Sequence, residues 1–432
     1  MSKRQQFSPA TASDAASTAT ADERNKSRRT PTTALSLDHD ILCMIFAFLD
    51  MFELVRCSLV CKTWNAVIES LSLREYHCRK LMGSSEFPKK PLRLIFAEVA
   101  MEQHRLALQD GSFHVDQWKG HSTTVAQCRM KMGTVATGVG DKVIRLWSVN
   151  RYKCIEEYSI PAMFPLVDFD FDESKIVGLI GSRLCIWRRN GKRSIFSSSE
   201  GAVVKASCMR YFDPEAMVGY DDGAVRVFDM YSRSCSKIMR MHSAPVTCIC
   251  VSEDQLILSG STSGSIAVSD PYSAKPVATL RSSDSRGVRT LCLNPSSQLV
   301  FAGSAVGYTY CWDLRTRRQL WGNRVSPNVI YSVQHMHGDR STLAVGGIDG
   351  ILRFVNQNDG SIVSSCIMED KLISSSSGSF QRRKGRRLPE DTYPNIDIIP
   401  TSARPSITCL AVGMKKVVTT HNTSDIRLWK FT

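Results

Sequence analysis

Between residues 144 and 429 one kind of segment returns seven times, and its spacing restricts the fold more than any other feature of the chain. The copies are Ile144-Arg145-Leu146-Trp147, Leu184-Cys185-Ile186-Trp187, Val225-Arg226-Val227-Phe228-Asp229, Ile266-Ala267-Val268-Ser269-Asp270, Tyr310-Cys311-Trp312-Asp313, Leu352-Arg353-Phe354-Val355 and Ile426-Arg427-Leu428-Trp429. Each is a short run rich in β-formers, set off by Gly, Asp or Ser, which is the signature of a strand between turns. Aligned on the Trp147 position they fall at 147, 187, 228, 269, 312, 355 and 429, in steps of 40, 41, 41, 43, 43 and 74 residues. The last step is one unit plus an insertion of about thirty residues, placed at 369–405. One such unit cannot bury its own apolar face, so the copies must pack on one another.

Seven four-strand units of this length resemble WD40 repeats, and the resemblance implies a mainly β fold closed as a seven-bladed propeller over residues 113–432. Closure removes the exposed sheet edges that an open array would leave. Phe113 to Trp118 has no blade of its own and is expected to pair beside Ile426 to Phe431 as the outer strand of the last blade. The first repeat carries the family's markers in full: Gly120-His121, Thr137, Asp141 and Trp147. The resemblance makes His121, Thr137, Asp141 and Trp147 a structural network. Other repeats keep parts of it, such as His242, Trp312-Asp313 and Asp349. The arginines within the Ile-Arg-Leu-Trp runs are expected to be structural.

Ahead of the repeats the period changes. Ile41, Leu42, Ile45, Phe46 and Leu49 lie on one stripe of a helix, with Asp38 placed to cap its first turn. Two further apolar sets follow, ending near Leu71, so three short helices are expected in about forty residues. That is too small a core to stand alone, and a partner surface is expected. The stretch resembles the F-box, with Leu37, Asp40, Leu42, Ile45, Phe46, Leu49, Leu54, Arg56, Val60, Cys61, Lys62 and Trp64 at the motif positions. Asp38 stands where that family usually has proline. The resemblance implies an all-α module over 35–82 that binds a Skp-type adaptor through Leu37, Leu42, Ile45, Phe46, Leu49, Val60 and Trp64. Residues 83–112 read as a linker with an amphipathic helix, and 1–34 as a disordered, basic, Ser/Thr/Ala-rich tail.

The chain has a net charge of +14. Only five of those charges fall in 1–34 and 369–405, so the rest spread over the folded parts and favour acidic or phosphorylated partners. Nucleic acid is favoured only weakly, and no membrane partner is expected, because no apolar run approaches a membrane span. Fifteen scattered cysteines without a C-x-x-C pair read as reduced thiols, and neither cofactor nor metal is expected. Asp168, Asp170 and Asp172 alternate along a strand; they invite a metal but are expected to be solvated. No phosphate-binding loop, nucleophile elbow or metalloprotease helix occurs, so no catalytic residue is assigned. Arg382-Arg383-Lys384-Gly385-Arg386-Arg387 is expected on a polar loop, open to three readings: an import signal, an anionic contact or a solvated run.

An F-box followed by WD40 repeats resembles the substrate receptors of SCF-type (Skp–cullin–F-box) ubiquitin ligases. The resemblance implies a non-catalytic subunit joined to cullin through the adaptor, with a protein substrate on the propeller and a location in nucleus, cytoplasm or both. In such propellers the residues near the start of each inner strand point into one opening, here Lys205, Ser207, Arg286, Arg289, Tyr331 and Arg404. Arginine there suits a phosphorylated substrate, since its planar fork grips phosphate with two hydrogen bonds. The alternative is a scaffold or nucleic-acid-associated propeller whose helical hairpin is only structural.

Overall fold

The structure, a computed structural model, describes residues 37–82, 90–110, 113–138, 142–160, 165–189, 193–197, 204–252, 254–282, 286–336, 341–376, 380–389, 399–401, 403–413 and 416–431. The tail 1–34 and Asp141 lie outside them. The chain divides into two compact units, one ending at Ala97 and the other starting at Glu98.

The first unit is helical: α1 (His39–Ala47), α2 (Met51–Ser58), α3 (Lys62–Ile68), α4 (Leu71–Met82) and the start of α5 (Leu92–Asp110). Asp38 caps α1 by accepting from the His39 amide at 2.8 Å. At α2, Asp50 accepts from the amides of Phe52 and Glu53, and Glu53 accepts from the Asp50 amide in return, so both ends of the capping box are filled. Leu42, Phe46, Leu54, Val67, Ile68, Leu73 and Phe96 form the buried core. Trp64 meets Phe46 edge-on at 5.4 Å. Buried His77 donates to the last-turn carbonyl of Phe46 at 3.1 Å. Four helices therefore stand in 39–82 where three were expected. The sequence hid α4 because it buries little apolar surface, Leu73 and Cys78, and leaves Leu71 and Tyr76 exposed.

The second unit is a seven-bladed propeller. Five blades are separate antiparallel four-stranded sheets. Their inner strands are Gln127–Lys131, Leu166–Phe171, Ala206–Phe212, Val246–Val251 and Val288–Asn294, and those of blades six and seven are Ile330–His335 and Ile407–Val412. These seven touch in succession and close on themselves. The seven runs that set the repeat are the third strands of their blades. Phe113–Lys119 pairs with Asp425–Phe431 in register from Phe113 with Phe431 to Lys119 with Asp425, completing the last blade as expected.

The insertion differs from its expected form. The outer strand of blade six runs on from Ile362 to Ser376, and Phe380–Arg387 folds back beside it and pairs with Phe113–Lys119. One strand thus joins blades six and seven into a nine-stranded sheet, so the basic run is a strand between the blades and not a loop of the last one. A polar strand can do this because pairing uses the backbone, and the side chains that turn inward find partners. Arg382 donates to the fully buried carboxylate of Asp116 at 2.7 and 3.2 Å. Arg387 donates to the carbonyls of Gln109 and Val363.

Asp168, Asp170 and Asp172 are also placed differently. They are not solvated acids but a seam between blades. Asp168 accepts from the Met209 amide at 3.0 Å, Asp170 from the Tyr211 amide at 3.2 Å and Asp172 from the Tyr211 hydroxyl at 3.0 Å. On the other side Arg129 donates to Asp168 at 2.9 Å and Lys131 lies 2.7 Å from Asp170. Blade two is tied in this way to blades one and three.

Candidate functional site

Two surfaces stand out, one on each unit. On the helical unit, the stripe that forms the core leaves a second apolar face outside. Met44, Ile45 and Phe48 on α1 and its end, Phe52 on α2, and Leu59 and Val60 after α2 are all exposed, Phe48 by 87% and Leu59 by 72%. Leu42 and Phe46, by contrast, are 2% and 1% exposed and belong to the interior. Of the seven residues expected to meet an adaptor, Ile45 and Val60 are therefore on the surface, Leu37, Leu49 and Trp64 are half-buried, and Leu42 and Phe46 support from beneath. The sequence stripe could not separate these roles, since residues i and i+1 share helical amphipathicity but point about 100° apart.

On the propeller, the inner strands begin at one end of the axial channel. Ser207, Arg289 and Tyr331 line a narrow cavity of about 110 Å3 there, together with Gln127, Thr247 and Thr408. Ser207 is committed to structure: its hydroxyl bridges the carbonyls of Gly219 and Val246, and Thr247 repeats the bridge to Gly260 and Val288. Arg289 is exposed and has no partner among the described residues. Lys205 is exposed beside the opening, and Arg286 stacks its guanidinium 4.2 Å over the Tyr308 ring. Arg404 does not belong to the opening. It is buried, and donates to the carbonyls of Ile399 and Asp349 at 2.9 and 3.1 Å.

The outer strands carry, at the same end of the propeller, cations that the repeat alignment did not single out. Arg240, Arg281 and Arg324 end the outer strands of blades three, four and five at one register position, opposite Ala224, Ser265 and Tyr308. All three are exposed. Deeper in the channel, Arg129 and Arg210 flank Asp168, at 2.9 and 3.7 Å. For Arg129 the signal was available, two residues beyond Gln127 on its inner strand and hence on the same face; a bulge between Ala206 and Cys208 breaks that count for Arg210.

In blade one three of the four residues of the repeat network are described, Asp141 being the other. The Trp147 indole donates to the Thr137 hydroxyl at 2.8 Å, and His121 shares a 2.7 Å hydrogen bond with the same hydroxyl. Blade seven rebuilds it from other positions, which the marker pattern missed. Trp429 donates to Thr419 at 2.9 Å, and His421 reaches Thr419 at 2.8 Å from the same strand. Burial, followed by the nearby Arg427, pushes the His421 imidazole down to about 3, so it stays neutral. Arginines on the third strands are engaged in structure, Arg145 and Arg427 of the Ile-Arg-Leu-Trp runs among them, Arg427 donating to Gln117 at 3.1 Å. Arg353 meets Asp349 at 2.6 Å with both side chains 1% exposed, Arg226 meets Asp222 at 2.7 Å, and Arg145 meets Glu157 at 2.9 Å.

Comparison with known proteins agrees with this architecture. A family model described as the F-box domain matches residues 34–76, and one described as the WD domain, G-beta repeat, matches residues 233–270. The second match runs from the outer strand of blade three through three strands of blade four, so sequence repeat and blade are offset by one strand. That offset is why Phe113–Lys119 must return to the last blade. An F-box/WD-40 repeat-containing protein of Arabidopsis thaliana is 47% identical over 450 residues, which cover 96% of this chain and 99% of its own. Mitochondrial division protein 1 of Sclerotinia sclerotiorum is 22% identical over 160 residues, covering 36% of this chain and 22% of its own. With helices and blades in the matching order, and a relative similar over its whole length, this chain belongs to the F-box/WD-40 repeat-containing proteins.

Proposed function

We propose that this chain is the substrate-recognition subunit of an SCF-type ubiquitin ligase. The observation that carries the reading is the exposed apolar face of the F-box, from Met44 and Phe48 across to Leu59 and Val60. A face of this kind on a small unit needs cover. In this family the cover is a Skp-type adaptor, which leads on to cullin. The propeller then holds a protein substrate at the end where its inner strands begin; Arg289 at the opening and Arg240, Arg281 and Arg324 on the outer strands favour an acidic or phosphorylated segment. The subunit carries out no bond chemistry. It raises the effective concentration of a substrate lysine beside the conjugating enzyme. Nucleus and cytoplasm, where such ligases act, are the proposed locations. A scaffold with a merely structural hairpin would leave the apolar face without a purpose.

The test is co-purification of the full chain with adaptor and cullin. Wild type is expected to bring both down. Phe48→Glu with Leu59→Glu should lose them, because two charges would have to be desolvated at the contact, at about 2 kcal/mol or more each. Both side chains are outside the core, so thermal unfolding should stay within about 1 kcal/mol of wild type. Adaptor binding that survives this double change would overturn the reading.

A further inference from the structure

Beyond the cavity at the opening, the axial channel has a second cavity, which meets the first at Arg129, Arg210 and Gln334. It measures about 400 Å3, within the range of small-molecule pockets of about 300–1,000 Å3. Its walls come from the later residues of the inner strands, and they differ in character. One wall is apolar, made by Phe212, Val251, Leu410 and Val412. The other presents Arg129, Lys131, Arg210 and Gln334, with Asp170 paired to Lys131 among them.

The polar wall has more donors than acceptors. Arg210 uses Nη1 on the Met209 carbonyl at 3.0 Å and lies 3.7 Å from Asp168. Its Nε and Nη2 have no acceptor among the described residues. The Nε of Arg129 is buried without a partner and is closed to the cavity, while the Gln334 side-chain amide has no hydrogen bond among the described residues. The nearby carboxylates cannot supply what is missing. Asp168 already accepts from Arg129 and the amides of Phe169 and Met209, and Asp170 from Lys131 and the amides of Phe171 and Tyr211. The free N–H bonds of Arg210, beside the charge of Arg129 and facing an apolar wall across a half-open space, suit a ligand with an anionic head and an apolar body.

We propose that this cavity binds a small amphipathic carboxylate, with its head on Arg210 and Gln334, beside the charge of Arg129, and its tail against Leu410, Val412 and Phe212. The cavity's lining comes from every blade but the fifth, so an occupant would brace the ring and raise its thermal stability.

Octanoate is the probe, titrated into the full chain by calorimetry, with octanol and octylammonium as matched controls. Octanoate is expected to bind at one site per chain and to raise the melting temperature. Octanol and octylammonium should bind at least about tenfold more weakly, since each lacks the anionic head. Arg210→Gln should weaken octanoate by about tenfold or more, and Val412→Trp should abolish binding by filling the cavity. Should either variant fail to fold, contacts in nuclear magnetic resonance between the octanoate tail and the methyls of Leu410 and Val412 in the wild type decide the matter. Absence of binding at millimolar octanoate, equal affinity for octanol, or tail contacts elsewhere would each overturn the proposal.

Discussion

Asp116 shows how much one side chain can hold. It is fully buried on the strand that closes the ring, and it receives Arg382, Lys430 at 2.8 Å and the Tyr152 hydroxyl at 2.5 Å. Burial alone would raise its carboxyl; the hydrogen bonds from Arg382, Lys430 and Tyr152 outweigh it and hold the group at about 2, below its ordinary 3.8. A carboxyl held low in the folded state contributes stability that is complete above its unfolded value and is lost as pH falls through its folded one. The window therefore runs from about pH 4 down to about pH 2, and its size is about 2 kcal/mol. Thermal unfolding of wild type and Asp116→Asn should differ most near neutral pH and converge below pH 4. A gap that stays constant to the acid end would remove the carboxylate from this role. Gly385, one strand away, has a different task. A Cβ there would run into the ring of Phe113, so the close approach of the two strands requires glycine.

At the scale of elements, the strand Phe380–Arg387 acts as a second clasp. Phe113–Lys119 is held on one edge by Asp425–Phe431 and on the other by this strand. Replacing residues 370–398 with a short Gly/Ser linker would remove Arg382 from Asp116 and uncover the edge of Phe113–Lys119. The expected cost is about 1–3 kcal/mol for the lost charge-assisted hydrogen bonds. It should appear as a fall in melting temperature of about 2–4 °C per kcal/mol for a unit of this size. An unchanged melting temperature would mean that the strand packs without contributing. The same pairing bears on the basic run itself. Arg382 and Arg387 are engaged, while Lys384 and Arg386 remain exposed on the outer surface.

At the scale of the molecule, closure gathers at one end of the propeller charges that are far apart in the chain. Arg240, Arg281, Arg289 and Arg324 span 84 residues of sequence but only three successive blades. If this end holds an acidic or phosphorylated substrate, Arg281→Ala with Arg289→Ala should weaken capture by about two orders of magnitude, at about 1.5–3 kcal/mol for each charge-assisted contact. Adaptor binding should be unaffected. Capture should also fall with rising salt, because exposed charges are screened. Substrate retained at full strength by the double variant would move the contact elsewhere on the propeller.

How much of this was legible depended on the range of the interactions that decide it. Strand identity, the seven repeats, the helix of Ile41 to Leu49 with its Asp38 cap, and the return of Phe113 to the last blade followed from local pattern and count. A period and a leftover strand are properties of the sequence alone. The weakly amphipathic α4 was missed for the same local reason. What the pattern could not show was which partner each polar or apolar side chain would meet. Phe46 and Phe48 are two residues apart, yet one is core and the other surface. Asp168 and Asp170 looked like solvated acids until blade three placed its amides against them, and Arg404 looked like a ligand-facing cation until the carbonyls of Ile399 and Asp349 enclosed it. The basic run read as a loop because its charges seemed unable to pack, but Asp116 lies 266 residues away. Local pattern determines which elements form; the ring, by bringing distant residues together, decided what each charge is paired with and which faces remain open.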